Sequence, residues 1–229
     1  MWTWYKFVIL LGFLALLIGQ IESANILGVF TSSSPSHQIV HVSYAKALAE
    51  RGHNVTVVTT IPLKDKNPKY LHILITPSDA ANKIIDAMKA KASEKPGGLI
   101  DSAKTALDNL LALGSIQADS LKDERFQDFM NNPDNKFDLL IVGYFLNDFH
   151  VGLGAHFKCP VVLSWAGAPL DMLNRYVGNP AEIAYVQAIN VYGASDPTKF
   201  TGRLKNFFIF LMSKLMETIM NFQMKYLYE

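Results

Sequence analysis

The sequence predicts an α/β fold built on a Rossmann-like, doubly wound parallel sheet, and three observations carry that reading. Short apolar, β-branched runs recur at Asn25 to Phe30, Asn54 to Thr60, Leu71 to Thr76, Phe137 to Val142 and Pro160 to Trp165, each too short for a helix. Segments with helical apolar spacing separate them, and strands alternating with helices favour parallel pairing. The run from Phe137 to Val142 is apolar at almost every position, as a strand covered on both faces must be.

The first unit runs from Asn25 to Thr60. A strand is followed by the loop Thr31-Ser-Ser-Ser-Pro-Ser36, a helical run to Glu50, and a second strand after Arg51-Gly52-His53. The stripe that should face the sheet is Val40, Tyr44, Ala45, Ala47 and Leu48, near the i, i+4, i+7, i+8 spacing of a packed helix. Gly52 stands where a helix end needs a left-handed residue. In an open sheet the loop leaving the carboxyl end of a strand enters the ligand crevice, so Ser34, Ser36 and His37 are the first candidates for chemistry.

Ile61 to Tyr70 reads as a loop, and Pro77 ends the third strand. Helical spacing then covers Ala80 to Ala92 and, after the break Pro96-Gly97-Gly98, one long stretch from Leu99 to Met130. The turn cluster Asn131 to Asn135 precedes the fourth strand, a helix is expected from Asn147 to Phe157, and the fifth strand closes the alternation. Beyond Gly167 the pattern becomes irregular, through Asn179-Pro180 and Asp196-Pro197; so long a connection is usually functional or awaits a partner surface. The helix expected from Arg203 to Tyr228 is apolar around much of its circumference.

Composition bounds the function. With 50% hydrophobic residues and 18% charged ones, 229 residues can bury a sizeable core. Lys+Arg 21 against Asp+Glu 20 leaves a net charge of +1, without the basic stripe that a phosphate backbone requires, so nucleic acid is excluded as a partner. One cysteine, Cys159, rules out an internal disulfide and a cysteine zinc site, and beside Pro160 it reads as a core thiol. Lys6, the apolar run Phe7 to Ile18 and the small pair Ser23-Ala24 read as a signal peptide over residues 1–24. The expected organisation is that leader, a Rossmann-like domain over 25–200 and the apolar helix over 201–229, in the endoplasmic reticulum lumen or on its membrane.

Among single residues His37 is the strongest candidate. At a helix start the dipole and free N–H groups lower its pKa, and a neutral imidazole can take a proton from a hydroxyl if a carboxylate orients its other nitrogen. His41 shares its helix face, but the Glu of an HExxH metal site is absent, so His41 reads as a satisfied helix residue and no metal is expected. Gly28 is not followed by a GxGxxG or P-loop pattern. Asn54-Val-Thr56 is a glycosylation sequon that falls in an expected buried strand, which argues against its use.

Larger motifs narrow the reading. Ser36-His37 after the first strand, Ala47-Leu-Ala-Glu-Arg-Gly-His-Asn-Val-Thr-Val-Val-Thr59, Phe137-Asp-Leu-Leu-Ile-Val142, Phe145-Leu-Asn-Asp148, Gly154-Ala-His-Phe-Lys-Cys-Pro160, Gly178-Asn-Pro180 and Arg203-Leu-Lys-Asn-Phe207 resemble UDP-glycosyltransferases of the glucuronosyl/glucosyl class, insect members above all. The resemblance implies the N-terminal, acceptor-binding domain of a GT-B glycosyltransferase, with His37 as catalytic base and sugar transfer by inverting displacement. It implies no cofactor. The donor would be UDP-glucose or UDP-glucuronic acid, held by a C-terminal half whose Gly- and His-rich signature has no counterpart in these residues, so this chain alone should be inactive. The acceptor would be a small lipophilic molecule with a hydroxyl, near Ser36, Phe149, Trp165 and Tyr176. The family's orienting acid falls at Gly143, which leaves Asp148 as the nearby substitute or as a helix cap. Residues Arg203 to Tyr228 would meet the missing half, a membrane or another copy. The alternative is a truncated, non-catalytic binder of small lipophiles, or a partner or regulator of full-length glycosyltransferases.

Overall fold

A computed structural model describes residues 23–32, 34–63, 67–92, 99–167, 173, 178–180, 182–186 and 196–228. Residues 1–22 of the expected leader and Tyr176 lie outside them, while Ser23 and Ala24 at its end are described. Five strands form one parallel sheet: β1 (Asn25–Phe30), β2 (Asn54–Thr59), β3 (Tyr70–Leu74), β4 (Leu139–Gly143) and β5 (Val161–Ser164), in the order β3-β2-β1-β4-β5. From β1 the chain winds outward to β3, then returns to β1's other edge with β4. The doubly wound sheet is therefore present, and its switch point lies between β1 and β4.

Alternation along the strands fills two cores. Ile26, Phe30, Val55, Val57 and Ile141 pack on one face beneath α1 (Pro35–Glu50), whose Val42, Ala45 and Ala49 complete that cluster. Leu27, Val29, Val58, Leu140 and Val142 pack on the other, against Phe126 of α4 (Glu124–Asn131) and Leu153 of α5 (Leu153–Phe157). Gly28 serves this packing: a Cβ there would come within 2.7 Å of the Phe30 ring, which occupies the space.

Three expectations change. The buried face of α1 is Gln38, His41, Val42, Ala45 and Ala49, while Val40 is 47% exposed. Two polar side chains face inward, and hydrogen bonds from Gln38 Nε2 and at His41 Nε2 offset part of the cost of burying them, Gln38 Oε1 being left without a partner. The stretch from Leu99 to Met130 is not one helix but α3 (Leu99–Asp119), a 3-10 turn (Ser120–Lys122) and α4. Asp123 interrupts it, its Oδ1 accepting from the backbone N–H groups of Arg125 and Phe126 as an N-cap. The helix expected from Asn147 to Phe157 is a 3-10 segment (Asp148–Gly152) followed by the short α5.

The end of α1 is a Schellman motif: the N–H of Gly52 donates to Ala49 and that of His53 to Leu48, with Gly52 at φ 99°. α2 (Asp79–Ala92) and α3 precede the switch, and α6 (Phe200–Tyr228) lies along α3. Met220 of α6 is buried, and Gln223 donates to the carbonyl of Leu111 and to Ser115 Oγ. Leu204, Phe207, Phe208, Leu211, Leu215 and Phe222 are exposed along its other side. No helix among the described residues is long and apolar enough to cross a membrane.

Candidate functional site

The carboxyl ends of β1, β4 and β5 deliver Ser32, Gly143 and Ser164 to one edge of the sheet. Ser34 precedes α1 in extended conformation and Pro35 opens its first turn, which puts His37 in the third helical position. Gln38 anchors this entry: its amide donates to the carbonyl of Ser32 and to Thr60 Oγ1, and Thr60 Oγ1 donates to the same carbonyl at 3.1 Å. His37 is thereby held over the crevice rather than on a free loop.

Its ring is half-buried in an aromatic cup. The centroid lies 4.5 Å from that of Phe145 and 5.8 Å from that of Trp165, and those two rings stack at 5.8 Å and 14°. Nδ1 is buried with no hydrogen-bond partner. Desolvation holds the pKa of His37 below its ordinary 6.5, so the imidazole is neutral and basic near neutral pH. His41, one turn on, is occupied differently: its ring stacks on Phe30 at 5.2 Å and Nε2 lies 3.1 Å from the carbonyl of Ser164.

The cup rests on a buried polar network. Asn147 receives the N–H of Phe145 at 2.7 Å, donates to the carbonyl of Gly143 at 3.2 Å, and lies 2.8 Å from His150 Nδ1. His150 Nε2 lies 3.0 Å from Ser120 Oγ, which donates to the carbonyl of Gln117. Asn147's amide and Ser120's commitment to Gln117 fix the tautomer: Nδ1 accepts and Nε2–H donates. Complete burial pushes the pKa of His150 down to about 3. Gln117 reaches back to Thr31 Oγ1 at 2.5 Å and to the carbonyl of Phe145 at 3.4 Å. Leu146, at φ 62°, takes a left-handed conformation that non-glycine residues avoid, and this network holds it there.

No protein-family model matches the chain. Individual proteins do. An ecdysteroid UDP-glucosyltransferase of Lacanobia oleracea granulosis virus is 27% identical over 180 residues, 78% of this chain and 38% of that protein. A UDP-glycosyltransferase of Dactylopius coccus is 28% identical over 194 residues, 83% of this chain and 36% of its own length. An ecdysteroid UDP-glucosyltransferase of Lymantria dispar multicapsid nuclear polyhedrosis virus is 32% identical over 127 residues, 55% and 25% of the two chains. The chain is a relative of the UDP-glycosyltransferases. It spans 25% to 38% of the length of these curated proteins.

Set against the residues expected of a UDP-glycosyltransferase, the structure brings His37 and Trp165 together and adds Phe145, which the sequence marks only as part of Phe145-Leu-Asn-Asp148. Its signal was its place, two residues past the strand beside the switch point. Ser36 is exposed at the crevice rim, its Oγ 2.9 Å from that of Ser34. Phe149 lies in the interior, 5% exposed and 4.6 Å from the His150 ring, which leaves it little surface for an acceptor. Tyr176 is outside the described residues. Asp148 opens the 3-10 segment and the capping position before it is Asn147. Among the described residues no carboxylate, Asp148 included, bonds His37 Nδ1. Gly143, the position where the resemblance implies the orienting acid, faces His41: a Cβ there would lie 2.9 Å from His41 Nδ1 and 3.0 Å from Phe30 Cδ1. Among the described residues no three His, Cys, Asp or Glu side chains converge as a metal site.

Proposed function

We propose that this chain is the acceptor-binding, base-carrying part of a UDP-glycosyltransferase. The observation that carries it is a neutral histidine at the sheet's switch point, its ring against Phe145 and Trp165 and its Nδ1 without a partner. A small lipophilic alcohol would lie on the two aromatic faces with its hydroxyl at the imidazole. His37 takes the hydroxyl proton as the oxygen attacks the anomeric carbon of a UDP-sugar, glucose or glucuronic acid, and UDP leaves from the opposite face with inversion. The cup supplies orientation and water exclusion, and the base is matched to neutral pH.

Relatives named as ecdysteroid glucosyltransferases make an ecdysteroid a first acceptor to try. The donor-binding part is a second domain like the remaining length of those relatives, so the 229-residue chain by itself is expected to bind acceptor without transferring sugar. Trp165 gives the readout. Titration with a hydroxylated steroid should quench tryptophan emission, Phe145→Ala should weaken binding about tenfold, and UDP-glucose or UDP-glucuronic acid should yield no conjugate. Turnover by the chain alone, or quenching untouched by Phe145→Ala, overturns the reading.

A second reading has one observation in its favour. The exposed residues of α6 fall at i, i+3, i+4, i+7 and i+11 from Leu204, a continuous stripe suited to a partner helix or domain. In that case the chain is a non-catalytic lipophile binder or regulator that pairs with a full-length glycosyltransferase, and co-purification with such an enzyme, lost on charging the stripe, decides it.

A further inference from the structure

We infer that Asn54 is an N-glycosylation site and that its glycan projects from the end of the sheet opposite His37. Asn54-Val55-Thr56 is the only Asn-X-Ser/Thr triplet with X other than Pro in the 229 residues. By sequence pattern alone the triplet falls in an expected buried strand. The structure removes that objection: Asn54 is the first residue of β2 and is exposed, and only from Val55 onward does the strand enter the core.

The local geometry leaves the amide available. Residues two apart on a strand project from the same face, and Asn54 and Thr56 accordingly line one open groove of about 270 Å³ with Asn25, Asp134, Lys136 and Phe137. Asn54 Nδ2 carries two hydrogens. One donates to Asn25 Oδ1 at 3.0 Å, and the other is free to be replaced. The chemistry needs only that one: Nδ2 bonds to C1 of the first sugar of a lipid-pyrophosphate-linked oligosaccharide, the C1–O bond to the pyrophosphate breaks, the amide loses a proton, and the lipid pyrophosphate departs. The remaining N–H keeps its bond to Asn25, so the sheet edge is undisturbed. The groove offers the glycan's inner sugars carboxylate, amide and ammonium partners beside one aromatic face. Because the strands are parallel, their amino ends hold Asn54 and their carboxyl ends hold His37, and the glycan leaves the crevice open.

This inference stands apart from the reading of His37, and requires that the chain enter the secretory lumen. The test is the full chain expressed in insect cells and treated with an amidase that removes N-glycans. Wild type should lose the mass of one glycan, with Asn54 converted to Asp. Asn54→Gln and Thr56→Ala should show no shift, and Thr56→Ser should retain it. Ile84→Thr, which creates a second triplet at exposed Asn82 on α2, is the control and should add one glycan. A chain modified at Asn82 but not at Asn54 overturns the inference through the site. A chain modified at neither overturns it through the compartment.

Discussion

His37 and His150 show how opposite surroundings move the same side chain in the same direction for different ends. Burial lowers both pKa values from 6.5, yet His37 keeps a buried Nδ1 without a hydrogen-bond partner while both ring nitrogens of His150 are committed. In a protein joined to a donor-binding domain, the acid limb of kcat/KM should therefore fall below pH 6.5, and His37→Gln should abolish transfer while leaving steroid binding within about threefold; a limb above 6.5 contradicts burial as the controlling cause. For His150 the folded pKa lies below the unfolded one, so its stabilising contribution is complete above pH 6.5 and is lost as pH falls toward about 3. The unfolding free energy measured in urea should drop between pH 7 and 5, by up to about 1.4 kcal/mol per pH unit from this residue, and His150→Gln should flatten that slope. The Ser-His pair at the first loop was legible because the position of a loop after β1 has chemical meaning. Asn147 and Gln117 were not, because a buried amide earns its place through partners distant in sequence.

Elements were read well where one local signal decides them. All five strands announced themselves as β-branched runs, and the glycine ending α1 is where the pattern puts it. Gly52→Ala should cost about 1–2 kcal/mol, measured by denaturant unfolding, because φ 99° penalises any Cβ although the nearest foreign atom is 3.8 Å away. The inward face of α1 was misassigned because apolar periodicity alone cannot see that Gln38 Nε2 and His41 Nε2 will find partners distant in sequence, and the break before α4 was passed over because a cap at Asp123 is a single polar residue inside an apolar rhythm. Contact between α1 and β4 also sets a coupling. Gly143→Asp should destabilise by about 1–3 kcal/mol by crowding His41 and Phe30, and His41→Ala in the same chain should recover part of that loss. Additive costs in the double-mutant cycle would show that the two positions do not share space.

At the scale of the whole molecule, two surfaces remain unspent: the aromatic cup at one end of the sheet and the apolar stripe of α6 along its flank. A stripe of this size favours association. Phe208→Glu with Leu215→Glu should shift sedimentation toward monomer, and folded stability should change by no more than about 0.5 kcal/mol because both side chains face outward. The order of the sheet carries one more consequence, in time rather than space. β1 pairs with β2 almost as soon as both exist, but its other edge waits for β4, as the bond from the Asn25 N–H to Asp138 across 113 residues records. At a synthesis rate of about 5–20 residues per second, that edge stays open for roughly 6 to 23 s on the ribosome. A nascent chain stalled before Leu139 would present an unpaired hydrophobic strand to its neighbours, and holding that strand until β4 emerges is the task this topology sets for the folding machinery.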